Sequence, residues 1–84
     1  MKARMLAPNQ IVITDENTRI FQSYDSMIVR ITWPEGLGCK VELDRDKWDY
    51  SKTTGKYRNQ FLGETKAETE KKIKSGEYIL AELN

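Results

Sequence analysis

The chain has 84 residues, 38% of them apolar and 32% charged, with 14 basic side chains against 13 acidic ones and a net charge of +1. A chain of this size builds one small domain with a modest core, and its balanced charge argues against a strongly basic nucleic-acid protein while leaving room for a local patch. Histidine is absent and Cys39 is the one cysteine, which excludes Ser-His and Cys-His catalysis, zinc sites built from Cys and His, and an internal disulfide.

Residues 1–9 read as a flexible N-terminal arm reaching Pro8, and residues 10–84 as a single α+β domain. Met1–Ala7 lacks the apolar run of a signal peptide, and no stretch approaches the roughly 20 apolar residues of a membrane span, so the cytoplasm is the expected location. Gln10–Thr14 (QIVIT) is a short β-branched strand, followed by a turn at Asp15-Glu16-Asn17. From Ile20 to Trp33 the apolar residues Phe21, Met27, Val29, Ile31 and Trp33 alternate with polar ones, which predicts a single strand with one apolar face. Ser23 and Asp25 interrupt that face, which predicts a bend or bulge there, and Tyr24 and Ile28 fall on the other side.

Pro34-Glu35-Gly36-Leu37-Gly38 cannot continue a strand and supplies a hairpin turn. Cys39, Val41 and Leu43 then alternate with Lys40, Glu42 and Asp44, so the two amphipathic runs form an antiparallel hairpin with Cys39 as a small inward residue. Beyond it, Ser51, Thr53 or Thr54 caps a short helix over Lys56–Leu62, with Tyr57 and Phe61 on one face and Gly63 just past its end. Thr65-Lys66-Ala67-Glu68 is a capping box that opens a second helix to Lys74, a solvated element whose late lysines complement its dipole. Ser75-Gly76 ends that helix, and Tyr78–Leu83 (YILAEL) is a last strand buried on both faces. The expected fold is α+β: a small, mostly antiparallel sheet in the order β-β-β-α-α-β, with one or two short helices.

Little in this chain is suited to acid–base work. Of Asp44, Asp46 and Asp49, the first two share a strand face that a divalent cation could bridge, but the spacing has little specificity, Arg45 and Lys47 alternate with the acids, and the run lacks the glycine and the terminal glutamate of an EF-hand loop, so they read as solvated charges leaving a strand. Cys39 has no activating neighbour. Gly36-Leu37-Gly38 precedes a strand, unlike a dinucleotide fingerprint. We therefore expect no enzyme, no cofactor and no metal. The remaining signal is aromatic and basic. Between Arg45 and Arg58 five basic residues stand against two acidic ones, with Trp48, Tyr50 and Tyr57 among them. Such a cluster suits either a protein interface, where Tyr, Trp and Arg are common hot spots, or stacking of single-stranded nucleic acid. It also suits a plain corner of the core.

The blocks Phe21–Ser26, Trp48–Ser51, Thr53–Arg58, Phe61–Gly63 and Lys74–Tyr78 resemble a family of short uncharacterised proteins encoded by phages, plasmids and conjugative elements of mostly Gram-positive bacteria. The resemblance spans about residues 18–84 and carries no catalytic residue. It implies a small accessory protein that acts by binding, as proteins that disable host defences or assist DNA transfer do. The reading that follows is a stoichiometric binding protein in a bacterial cytoplasm. Its partner is a host protein or protein–nucleic-acid complex, held by Trp48, Tyr50, Lys52, Tyr57 and Arg58. The alternative is a single-stranded DNA- or RNA-binding module using the same residues, and a homodimer paired through strand edges is a third arrangement.

Overall fold

The computed structural model describes residues 1–34 and 38–84; Glu35, Gly36 and Leu37, the heart of the expected hairpin turn, lie outside the described residues. Six strands form one sheet in sequence order: β1 (Lys2–Ala7), β2 (Gln10–Asp15), β3 (Thr18–Ser23), β4 (Ser26–Thr32), β5 (Lys40–Asp44) and β6 (Tyr78–Ala81). All neighbours are antiparallel except β5 and β6. Parallel neighbours need a crossover, and two helices provide it: α1 (Lys52–Leu62) and α2 (Lys66–Ser75). The α+β class, the mostly antiparallel sheet and the two helices agree with expectation, as does the antiparallel hairpin, in which Val29 faces Leu43 and Ile31 faces Val41.

The sheet has more strands than the hydrophobic pattern suggested. Lys2–Ala7, expected to be a loose arm, is an edge strand paired with β2 through a turn in which Pro8 precedes Asn9 at φ 66°, as in a type II turn. The expected single strand over Ile20–Trp33 is two strands, folded back at Tyr24-Asp25. Tyr24 has φ 57°, in a position hairpins usually fill with glycine, and its N–H donates to the Asn9 carbonyl at 2.6 Å. A bulge follows: Phe21 pairs with Val29 and Gln22 with Met27, leaving Ile28 as the extra residue. Past it the side-chain alternation is inverted. Ile28 and Val29 are therefore both fully buried, and Met27 moves off the face where the alternation had placed it.

Both helices cover one side of the sheet. The row Val12, Phe21, Val29, Leu43 and Leu80 runs across five strands there, and Phe21 stacks on Phe61 of α1 with ring centroids 5.8 Å apart. Trp48, Tyr57, Leu62 and Ile73 close around the same core. The other side, with Ile11, Ile13, Ile20 and Ile79, has no helix over it among the described residues, so β6 is buried on one face instead of two. Arg30 and Glu42 pair across that side at 3.0 Å.

Several single-residue expectations are corrected. Cys39 is exposed, because it precedes β5 and lies outside the strand pairing. Trp33 is 41% exposed for the corresponding reason at the end of β4. Asp44, expected to be solvated, is buried and accepts the Leu83 N–H at 2.9 Å; the chain after β6 folds back over it, and Asn84 hydrogen-bonds the backbone of Met27. α1 begins four residues earlier than expected, capped by Ser51, whose hydroxyl accepts the Thr54 N–H at 3.1 Å. Gly63 at φ 70° and Gly76 at φ 86° terminate the two helices.

Gln10 carries a testable cost. It is fully buried on the helix side, and neither atom of its amide has a partner among the described residues. An unpaired buried polar group costs about 1–3 kcal/mol, so Gln10→Met, of similar shape, is expected to raise stability by about 1–2 kcal/mol. A urea midpoint that fell instead would mean that the amide is hydrogen-bonded in solution.

Candidate functional site

The cationic segment between Arg45 and Arg58 folds as a turn followed by the start of α1. Arg58, expected to be a contact residue, is not available as one: it is 1% exposed. Its Nη1 donates to the Trp48 carbonyl at 2.6 Å and meets Asp49 Oδ1 at 3.2 Å, and its Nη2 donates to Asn59. The guanidinium lies 5.0 Å from the Trp48 ring. Planar Arg suits this role because it can stack and donate in several directions at once. Trp48 and Tyr57 are half-buried against the core. Of the five residues expected at a contact surface, Tyr50, 44% exposed, and Lys52 stand free.

What lies in front of the clamp is an open groove of about 480 Å³ walled by Tyr50, Lys52, Lys56, Asn59 and Lys66, with Asp49 at its base. Among the described residues Asp49 is the only carboxylate lining it, and it is already engaged by Arg58 and by Lys66 Nζ at 2.7 Å. Partial burial pushes the Asp49 carboxyl up, but the hydrogen bonds from Lys66 and Arg58 together outweigh this and hold it below its usual range. Lys66 rises correspondingly through its bond to Asp49. Lys47 Nζ lies 5.3 Å from the Tyr50 ring. Gly55 keeps the floor low: a side chain there would rest against the Arg58 guanidinium. Lys66 escaped the sequence reading because it comes from the other helix, and nothing local signals where the turn between the helices sends it.

A second polar cluster locks the crossover. Glu64, between the helices, has a side chain only 5% exposed. It accepts from Lys72 Nζ at 2.8 Å, Tyr78 Oη at 2.8 Å and Thr69 Oγ1 at 2.6 Å. Lys72 thus does more than solvate its helix. Burial raises the Glu64 carboxyl, yet its three donors outweigh that and leave it below the usual range. Burial, with the bond to Glu64, pushes the Tyr78 hydroxyl up to about 12.

Glu64 stabilises fully above the ordinary glutamate value of 4.5 and loses its contribution as acid protonates it. Tyr78 contributes below pH 10 and loses it as the pH rises toward 12. Glu64→Gln is expected to cost about 1–3 kcal/mol at pH 7, a range that allows for the part-exposed Lys72. The gap from wild type should close as urea melts are taken from pH 7 to pH 3. A gap independent of pH would remove Glu64 from the acid limb.

Fold and groove together define a small α+β protein whose helical crossover presents a preformed cationic groove. The model of a family of unknown function, DUF8033, matches residues 1–77, and the chain belongs to that family. No curated protein and no solved structure is matched. Among the described residues no helix is long and apolar enough to cross a membrane.

Proposed function

We propose that this is a non-enzymatic binding protein that grips an acidic surface of a partner protein in the groove between Tyr50 and Lys66. The observation that carries the reading is the charge arrangement: Lys52, Lys56 and Lys66 surround a single, doubly engaged carboxylate beside an exposed tyrosine ring. The buried Arg58 clamp holds that geometry before any partner arrives, which lowers the ordering cost of binding. The sequence blocks behind the resemblance to phage and mobile-element proteins, Trp48–Ser51 and Thr53–Arg58, supply part of the groove's lining, including Tyr50 and Lys56. A host defence or other nucleic-acid-handling complex as the partner is part of this proposal and rests on that resemblance. Single-stranded nucleic acid fits the groove less well, because the rings expected to stack its bases, Trp48 and Tyr57, lean on the core and the Asp49 carboxylate in the lining repels a phosphate.

The test is capture from nuclease-treated host lysate by the wild type and by Lys52→Glu with Lys56→Glu. Both lysines are exposed. A glutamate in the first turn of α1, which has no acid there, also suits the helix dipole, so the variant stays folded. A partner with an acidic face should be retained by the wild type and lost by the variant; equal retention by both would end the proposal. The obvious alternative, Trp48→Ala with Tyr57→Ala, opens the core and tests folding instead.

A further inference from the structure

The strand register assembles another cationic feature, at the opposite end of α1. Lys2, Thr14, Arg19, Ile31, Val41 and Tyr78 pair in turn across all six strands, so they share the helix side of the sheet. The helices leave part of that side open toward β1. There Lys2, Arg4 and Arg19 line a cleft of about 240 Å³ over Val12 and Thr14. Arg19 is shared with an adjoining cleft of about 330 Å³, which has Ile31, Val41 and Phe61 along its lining with Trp33 beside them, and in which the one carboxylate among the described residues, Glu77, is paired with Lys72. The two form one track through Arg19.

Its chemistry is polarised. No carboxylate among the described residues lies within 4.0 Å of Lys2, Arg4 or Arg19. The Arg19 guanidinium carbon lies 5.0 Å from the centre of the Phe61 ring, a cation–π contact that holds the group at the cleft, where its N–H donors suit an anion. The cations stand on β1 and β3, two strand spacings or roughly 10 Å apart, so more than one phosphate is within reach. At the far end Trp33 is 41% exposed, with its backbone held by a 2.9 Å bond to the Asn17 carbonyl.

We propose that this track binds single-stranded nucleic acid, with backbone phosphates on Lys2, Arg4 and Arg19 and an unpaired base stacked on Trp33. A duplex has no free base face for Trp33, and an acidic peptide would use the cations without the ring. The site is separate from the groove at Tyr50, and neither proposal depends on the other.

Fluorescence anisotropy with labelled oligothymidylate and oligouridylate, at 50 to 200 mM salt, tests it on the full chain. Three phosphate contacts predict a log–log salt slope of roughly −2. Lys2→Glu with Arg4→Glu, both exposed on the edge strand, should weaken binding at least about tenfold and flatten the slope by more than about one unit. Trp33→Ala should weaken it about fivefold or more with the slope unchanged. Lys52→Glu with Lys56→Glu should leave it intact. The proposal is overturned by an absence of binding at 50 mM salt, or by loss only in the Lys52/Lys56 variant. Indifference to Trp33→Ala together with equal binding of polyglutamate would give the track to an acidic peptide and overturn it too.

Discussion

Phe21→Ala is expected to lower the unfolding free energy by about 3–5 kcal/mol, the usual cost of emptying a buried aromatic site. The ring has no exposed surface, sits between Val12 and Val29 in the row from Val12 to Leu80, and is the residue on which Phe61 stacks. Neighbours drawn from two strands and a helix cannot all move in to fill the space, so much of the cavity should persist. Domains of this size hold roughly 5–15 kcal/mol in total, and each kcal/mol moves the melting temperature by about 4–8 °C. The variant should therefore melt far below the wild type, while Phe21→Leu should cost clearly less. A thermal midpoint for Phe21→Ala within a few degrees of wild type would mean that the sheet and α1 do not pack through this ring.

Arg58→Ala should cost about 3 kcal/mol and disable the groove at Tyr50 along with it. The loss combines a large side-chain void with the hydrogen bond to the Trp48 carbonyl and the stacking on the Trp48 ring. Asp49 keeps Lys66 as a partner, so no stranded charge adds to the cost. Arg58→Lys should recover little of the loss, because an ammonium cannot stack flat while donating to Trp48, Asp49 and Asn59. In a Trp33→Phe background the remaining tryptophan reports the turn directly. Its emission should shift to the red in Arg58→Ala as residues 45–51 loosen, with a lower urea midpoint. An unchanged spectrum and midpoint would show that the turn holds without the clamp.

These two residues were legible in the sequence to very different degrees. Phe21 stood out because a strand's two-residue period records which side is buried. The β4–β5 hairpin and both helix ends were readable for the same local reason: Ser51, Gly63, the Thr65 capping box and Gly76 act within a few residues of themselves. Arg58 gave no signal. Its helix pattern pointed to Tyr57 and Phe61, and the carbonyl, carboxylate and ring that make its burial tolerable come from the turn ten residues earlier.

What the sequence by itself determined is the class of the fold, the helix caps, the hairpin and the segment that walls the groove, all consequences of short-range geometry and periodicity. Pairing decided the rest. Lys2–Ala7 has no β-branched residue to declare a strand and becomes one because β2 offers it a free edge. The bulge at Ile28 and the turn at Tyr24 invert an alternation that reads as continuous along the chain. Lys66 joins Asp49, and Arg19 joins Lys2 and Arg4, only after strands and helices distant in sequence are set side by side. Charged side chains carry no periodic record of their neighbours, because their energy depends on which opposite charge, ring or solvent the completed fold places against them.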